Sequence, residues 1–245
     1  MPAPATTPVF ILCRDRLTPL QELVGWLESA GFEEIRLLDN DSAYPPMVEY
    51  LAASPHEVMS LGRNVGKHAL WLDRRFDRLI DRRPFVYTDP DVVPDADCPR
   101  DVLDRFVELL ARHRDVRKVG FGLRIDDLPS HYRFQEQVIA WESQFWADTL
   151  QVEPGAYRAA IDTTFALYRR WESPPPSLDA IRTGFPYVAR HTTWYTDSSA
   201  PGEEELFYQA RLERGTADSP GTSTWSGDEP PGGLLDSIER LRNSD

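Results

Sequence analysis

Short apolar runs alternate with amphipathic stretches over the first half of the chain. The apolar runs at 9–12, 35–38, 58–61 and 85–88 have the length of buried strands. Between them, at about 18–30, 46–51 and 69–81, apolar side chains recur at helical spacing. Strands that alternate with helices usually build a parallel sheet with helices on its faces. The pattern therefore predicts an α/β fold with the order β-α-β-α-β-α-β.

The first predicted helix carries its own boundary signals. Thr18, Pro19 and Gln21 have the spacing of an N-cap, a first-turn proline and a capping-box partner. Gly31 predicts the end of this helix. We expect the Thr18 side chain to cap it.

The alternation weakens in the second half. A helix is predicted at 101–113, strands at 119–124 and 160–168, an aromatic helix at 134–146, loop and strand at 182–191, and a helix at 203–214. Of the 20 residues at 214–233, 14 are Gly, Pro, Ser or Thr, which is typical of a flexible linker. Apolar residues at 234, 235, 238 and 241 predict a short terminal helix. We expect a single domain over 1–215 and a flexible tail with this helix over 216–245.

Charge narrows the class of ligand. The chain contains 27 Lys and Arg against 40 Asp and Glu, which gives a formal net charge of −13. Such a chain repels nucleic acid and anionic lipid at long range, so we expect no nucleic-acid partner. A phosphorylated ligand would need a metal ion or a local basic pocket.

Cysteine usage and hydropathy indicate the compartment. Cys13 and Cys98 are the only cysteines, too few for a disulfide framework or a cysteine-based zinc site. No stretch approaches the roughly 18 apolar residues of a membrane span, and the first residues do not resemble a secretory signal. We expect a cytoplasmic protein with no membrane span.

Two carboxylates follow the apolar run at 85–88 directly. Asp89 and Asp91 are two positions apart, at the carboxyl end of a predicted strand, where ligands bind in open α/β sheets. Two such carboxylates can share a hard divalent cation, which in turn neutralises a diphosphate. A solvated acidic turn is the alternative, since Asp and Pro are common turn residues.

Several ordered elements resemble those of glycosyltransferases of the GT-A fold, especially the family-two group. The first is a strand followed by Arg14-Asp15-Arg16, and the pair Asp89 and Asp91 is similar to the D-x-D metal motif. The other similar elements are Asp39-Asn40-Asp41-Ser42, Arg63-Asn64-Val65-Gly66, and Glu204-Glu205 with Arg211 and Gly215. The resemblance covers about residues 8–215. It implies a GT-A-like (Rossmann-like), mostly parallel sheet flanked by helices, with a donor half at about 8–95 and an acceptor half at about 96–215.

The resemblance also implies an activity. The expected reaction moves a sugar from a nucleoside-diphosphate sugar, UDP- or GDP-linked, to a hydroxyl of a glycan or small molecule, with inversion. Mn²⁺ or Mg²⁺ would bind at Asp89 and Asp91. Glu205, at the usual place of an Asp, would be the general base, and its neighbour Glu204 is an alternative. The residues implied for donor binding are Arg14, Asp39, Asn40, Asn64, Gly66 and Asp89. Lys67, beside the turn at Gly66, is a further candidate for donor binding through its positive charge near the phosphates, and a solvated surface group is the alternative.

Other residues are candidates on their own chemistry. Asp162 stands in an apolar run, where a carboxylate is costly unless it is paired or used, so it is a second candidate base or a strand-end cap. His191 is a candidate metal or diphosphate contact, or a structural histidine. Trp194 and Tyr195 are candidate acceptor contacts, because aromatic faces pack on sugar rings, whereas core packing is the alternative.

Two other functions fit the same residues. Asp89-x-Asp91-x-Val93 fits the motif of haloacid-dehalogenase-type phosphatases, with Asp89 as nucleophile and Asp126-Asp127 as a later acidic pair. The third alternative is a non-catalytic relative that binds nucleotide sugars or glycans, which the Glu at position 205 leaves open.

Overall fold

The computed structural model describes residues 2–80, 83–169, 179–212 and 225–226. Its strands are β1 (Val9–Cys13), β2 (Ile35–Asp39), β3 (Glu57–Ser60), β4 (Phe85–Thr88), β5 (Val92–Pro94), β6 (Lys118–Leu123), β7 (Gln151–Glu153), β8 (Ala156–Arg158), β9 (Ala166–Tyr168) and β10 (Ala180–His191). Its α-helices are α1 (Leu17–Ser29), α2 (Pro45–Ala53), α3 (Ala69–Leu72), α4 (Asp77–Ile80), α5 (Val102–Arg112), α6 (Gln135–Glu142) and α7 (Glu203–Ala210). These strands form one sheet in the order β3-β2-β1-β4-β9-β6-β10-β8-β7, and β5 pairs with β10. The predicted α/β class is confirmed.

The first half of the sheet is parallel. β1 pairs in parallel with β2 on one side and β4 on the other, and β3 continues the sheet beyond β2. All five residues of β1 are buried, because helices cover both faces of a central parallel strand. The loops after β1, β2 and β4 therefore leave the sheet at the same edge.

The second half is mixed rather than parallel. β9 lies antiparallel between β4 and β6, whereas β10 is parallel to β6 and antiparallel to β5 and β8. The predicted strand at 160–168 shrinks to β9, and β5 and the β7–β8 pair were not predicted. The predicted loop and strand at 182–191 is part of β10, whose pairing with β6 shifts register between Thr183 and Val188.

The core has one cluster on each face of the sheet. Val9, Ile11 and Cys13 of β1 pack in a cluster that contains buried residues of α1, α2 and α5. Phe10 and Leu12 point the other way, into a cluster with α3 and aromatic residues of β4 and β9. This alternation is the two-residue period of a strand.

Two helix predictions need correction. The helix predicted at 69–81 is broken into α3, a 3-10 turn at Arg74–Phe76, and α4. Asp73 is extended, and its carboxylate accepts a hydrogen bond from the backbone N–H of Arg75, which ends α3. α1 begins at Leu17 rather than at Thr18, and its own flanking residue Arg16 provides no side-chain cap. Gly31, with a φ of +82°, follows the end of α1 as predicted.

Two further expectations concern the C-terminal tail and a membrane span. The predicted tail at 216–245 lies outside the described residues apart from 225 and 226, as does the short terminal helix. No helix among the described residues is long and apolar enough to cross a membrane.

Candidate functional site

Asp89 and Asp91 follow β4 at the edge where β1 and β2 also end. The Thr163 hydroxyl donates a hydrogen bond to Asp89 Oδ2 over 2.6 Å, and the Thr193 hydroxyl donates to Asp91 Oδ2 over 2.9 Å. Burial and the charge of Asp91 raise the pKa of Asp89 to about 8. Burial also opposes ionisation of Asp91, but nearby His191 and Arg16 and the Thr193 hydroxyl hold its pKa below the usual value. The pair therefore concentrates negative charge in a partly desolvated place.

The two carboxylates fit a divalent cation by their donor chemistry. Hard oxygen ligands suit Mg²⁺ and Mn²⁺. Burial, and after it the charge of Asp91, raises the pKa of Asp89, and a bound cation would favour its ionised form. His191 Nε2 lies 3.8 Å from Asp91 Oδ2, and burial lowers the pKa of this imidazole. Within the described residues, no three His, Cys, Asp or Glu side chains are grouped so as to hold a metal ion. The predicted set of Asp89, Asp91 and His191 stays a prediction.

Arg16 belongs to the Arg14-Asp15-Arg16 element, but the sequence did not predict a role for this residue in the site. It is 6% exposed, and one guanidinium nitrogen donates to Asp91 Oδ2 and to the Thr193 hydroxyl. The other nitrogen donates to Glu205 Oε2 over 3.1 Å and to Ser226 Oγ. Its guanidinium carbon lies 4.1 Å from the centre of the Tyr208 ring. Arg16 thus joins the loop after β1, the pair after β4 and helix α7.

The two candidate bases on α7 have different surroundings. Glu205 accepts hydrogen bonds from Arg16 and, over 3.1 Å, from the Gln209 amide. Glu204 Oε2 accepts from the backbone N–H groups of Leu17 and Thr18, each over 3.0 Å. Glu204 therefore caps α1 from another part of the chain, and this contact replaces the Thr18 side-chain cap that the sequence predicted.

We expect Glu204→Ala to lower the free energy of unfolding by about 1 kcal/mol, because two N–H groups at the start of α1 lose their acceptor. Urea denaturation measures this loss, and the exposed neighbour in Glu203→Ala is the matched control. Equal stability of Glu204→Ala and Glu203→Ala would contradict the capping role.

Arg211, after α7, holds the loops that follow β1 and β2. Its guanidinium donates to Asp15 Oδ2 over 2.7 Å and to Asp41 Oδ2 over 3.1 Å. Asp15 is fully buried, and its other oxygen accepts from the backbone N–H groups of Ala43 and Tyr44. The contacts of Glu204, Glu205 and Arg211 therefore hold α7 against the loops that follow β1 and β2. The role of Asp15 was not predicted.

The candidate donor residues around the β2 end form a local network. Asp39 Oδ1 accepts from the backbone N–H of Ser42 over 2.9 Å. The Asn40 amide donates to Asn64 Oδ1 over 2.9 Å, and Asn64 Oδ1 also accepts from the N–H of Gly66 over 3.0 Å. Gly66 has a φ of +83°, a conformation that favours glycine. These contacts give Asn40 and Asn64 a structural part in shaping the loop.

Arg14 and Lys67 lie in different surroundings. Arg14 donates to the backbone oxygen of Arg211 over 3.4 Å, so it contacts the end of α7. Lys67 donates to Asp162 Oδ2 over 2.5 Å, and both side chains are about half exposed. Lys67 is therefore a half-exposed cation that pairs with Asp162.

The sequence predicted that Asp162 lies inside an apolar strand, and the structure places it outside β9. It lies in the loop before β9, beside Thr163, whose hydroxyl contacts Asp89. The fully buried Lys118 donates to the Asp162 backbone oxygen over 3.1 Å. Asp162 thus faces Lys67 and the Asp89 side of the site rather than Glu205.

The predicted acceptor residues are placed differently from each other. Trp194 is 1% exposed, with its ring stacked on His191 at 4.7 Å and packed edge-on against Trp225, so no face is left for a sugar. This burial favours the core-packing alternative for Trp194, and its acceptor role stays a prediction. The Tyr195 hydroxyl donates to Asp127 Oδ1 over 2.6 Å.

A small cavity of about 50 Å³ adjoins Glu205. Tyr132, Gln209 and Trp225 are among the residues that line it. Trp225 is only partly buried, so part of its side chain remains accessible at this cavity.

The sequence was compared with family models and curated proteins, and the structure with solved structures. No family model matches the sequence, and no curated protein matches it. The crystal structure of S. aureus TarS 1–349 is similar, with a TM-score of 0.44 and 11% sequence identity. The match covers 82% of this chain and 62% of that one, so this chain spans less than two thirds of its length. At this identity and TM-score, the similarity supports no conclusion about the fold, substrate or reaction of this chain.

Three sets of carboxylates lie at or beside the carboxyl ends of β1, β2 and β4. Asp89 and Asp91 offer oxygen ligands for a cation, and Glu205 offers a carboxylate beside a cavity. Asp39 ends β2 at the same edge. Such an edge is where ligands bind in open α/β sheets.

Proposed function

We propose that this protein is a metal-dependent glycosyltransferase that moves a sugar from a nucleoside-diphosphate sugar to an acceptor hydroxyl. The observation that carries the proposal is the shared contact of Arg16 with Asp91 and Glu205, because it brings the metal-type pair beside the candidate base. A metal pair and a base in one site are what inverting transfer from a diphosphate donor requires.

The donor would lie along the edge formed by the ends of β1, β2 and β4. Asp39 is the acceptor of hydrogen bonds from the nucleoside, and the loop that Asn40 and Asn64 shape borders it. Lys67 supplies positive charge near the diphosphate, since its ammonium is exposed and close to Asp162. UDP- and GDP-sugars are the proposed donor classes.

The pair Asp89 and Asp91 would hold Mn²⁺ or Mg²⁺. When bound, such an ion offsets the charge of the diphosphate leaving group. The net charge of −13 supports this role, because an acidic chain otherwise repels a diphosphate.

Glu205 would take the proton of the acceptor hydroxyl as that oxygen attacks the anomeric carbon. Its carboxylate adjoins the small cavity that Tyr132 and Trp225 line, which has room for the reacting hydroxyl and not for a whole sugar ring. Gln209 and Arg16 hold the carboxylate oxygens and so fix its direction. The nucleoside diphosphate leaves with the electron pair of the broken bond, on the opposite face of the sugar.

Ligand-induced thermal stabilisation tests the donor site. We expect one of UDP, GDP, TDP or CDP to raise the melting temperature by about 5–10 °C at one hundred times its Kd when Mn²⁺ is present. Asp91→Asn should abolish this shift, because the neutral amide binds Mn²⁺ weakly. Asp115→Asn is the matched control, since Asp115 is an exposed partner of Arg158 outside this site.

The opposite results have clear meanings. A shift that persists in Asp91→Asn, or one that does not need Mn²⁺, would contradict the metal role of the pair. No shift with any nucleotide would contradict the donor site itself.

A non-catalytic nucleotide-sugar or glycan-binding protein is the second candidate. The ion pair of Glu205 with Arg16 favours it, because the guanidinium occupies Oε2 of the candidate base. Nucleotide binding without donor turnover in the presence of acceptors would support this alternative.

A further inference from the structure

A single buried guanidinium lies between the two functional carboxylates. One nitrogen of Arg16 is 2.5 Å from Asp91 Oδ2, and the other is 3.1 Å from Glu205 Oε2. The side chains of Arg16, Asp91 and Glu205 are 7%, 10% and 14% exposed. The three groups therefore interact with little screening by water.

The geometry of this contact needs an arginine. A planar guanidinium can donate to two acceptors in fixed directions while its face packs on an aromatic ring, here that of Tyr208. A lysine ammonium carries the same charge but does not reach both carboxylates in this fork arrangement.

The same contact places a positive charge where a metal ion would need Asp91. Arg16 and the Thr193 hydroxyl already donate to Asp91 Oδ2, so a divalent cation at this carboxylate meets a fixed neighbouring charge. Repulsion between like charges at this range weakens binding of the ion.

We propose that Arg16 is a positioning residue that holds Glu205 beside Asp91 and, through its charge, limits the affinity of the acidic pair for a divalent cation. This inference rests on the proposed function and extends it to Arg16, a residue of the Arg14-Asp15-Arg16 element to which the resemblance assigned no role of its own. It gives Arg16 opposite effects on turnover and on metal affinity. Loss of a merely structural arginine would weaken both.

Arg16→Gln and Arg16→Lys separate the charge from the geometry. We expect Arg16→Gln to bind Mn²⁺ alone about tenfold more tightly, because the competing charge is gone, while kcat for sugar transfer falls about 100-fold. Arg16→Lys should bind Mn²⁺ like the wild type, because it keeps the charge, but should also lose kcat, because it does not hold Glu205. KM for the donor should change less than kcat in both variants.

The measurements are Mn²⁺ titration followed by electron paramagnetic resonance of the free ion, and steady-state kinetics with the nucleotide sugar. Arg158→Gln is the matched control, since Arg158 pairs with Asp115 at the surface. It should leave both readouts unchanged.

Weaker Mn²⁺ binding by Arg16→Gln, or full turnover by Arg16→Lys, would overturn the inference while leaving the proposed function intact. Absence of Mn²⁺ binding in the wild type and in Arg16→Gln would overturn the inference together with the metal part of the proposed function. If Arg16→Gln does not fold, the folded Arg16→Lys decides through its kcat.

Discussion

Glu205→Gln is expected to lower kcat for sugar transfer by about 10³-fold, because a positioned general base contributes roughly 10²–10⁴-fold to such reactions. The glutamine keeps the size of the side chain and can still accept a hydrogen bond from Arg16, but it cannot take a proton. Binding of the nucleoside diphosphate with Mn²⁺ should persist. In the described part of the structure, Glu205 accepts hydrogen bonds from Arg16 and Gln209 and makes none with Asp89 or Asp91. Initial rates with the nucleotide sugar and a thermal shift on the same variant measure the two effects.

Glu203→Gln is the control for this prediction. Glu203 is exposed on the same first turn of α7, so the change removes a similar charge without touching the cavity. A Glu205→Gln protein that keeps full turnover would contradict the base assignment. Asp162, which faces Lys67, would then be the next carboxylate to test.

Glu142→Ala is expected to lower the free energy of unfolding by about 3–5 kcal/mol, because it leaves Arg182 as a buried, unpaired charge. Glu142 and Arg182 are 4% and 6% exposed, and they form an ion pair at 2.6 Å. The guanidinium also donates to the backbone oxygen of Ala160 and lies 3.9 Å from the centre of the Phe145 ring. This cluster ties α6 and the turn after it to β10.

Chemical denaturation of Glu142→Ala and of Glu22→Ala measures this difference. Glu22 pairs with Arg190 at the surface, where such pairs contribute about 0–1 kcal/mol. Equal losses of unfolding free energy in the two variants would show that the buried pair contributes no more to stability than the surface pair.

The first half of the fold could be predicted because its signals are local. β1 and β4 are runs whose side chains are buried on both faces, so hydropathy alone marks them. The mixed second half could not be predicted in the same way. β7 has largely exposed residues and only three positions, and β5 is equally short, so neither has a period that a sequence window can resolve.

The candidate site was predictable where it depends on position along strands. Asp39 and the pair Asp89 and Asp91 follow apolar runs, and strands that are parallel carry such residues to one edge. The contacts of Arg16 with Glu205 and of Glu204 with Leu17 were not predictable, because they join residues 189 and 187 positions apart in the chain. A charge next to an apolar strand looks like a surface group until the helix that covers it is known.

The same limit explains Trp194. An aromatic pair such as Trp194 and Tyr195 has the composition of a sugar-binding surface, but only the three-dimensional packing shows that His191 and Trp225 cover the ring. Local sequence does not distinguish a buried indole from an exposed one. Trp225 had no pattern around it that pointed to the cavity.

Release of nucleoside diphosphate from a panel of UDP- and GDP-sugars, measured with candidate acceptors in Mn²⁺ and in EDTA, is the most direct test of the proposed transfer. The account predicts that one donor class releases its nucleoside diphosphate in Mn²⁺, that an acceptor accelerates the release, and that EDTA stops it. Absence of release from every donor, together with Asp89-dependent hydrolysis of a phosphate monoester, would contradict the account and assign phosphatase chemistry to the pair.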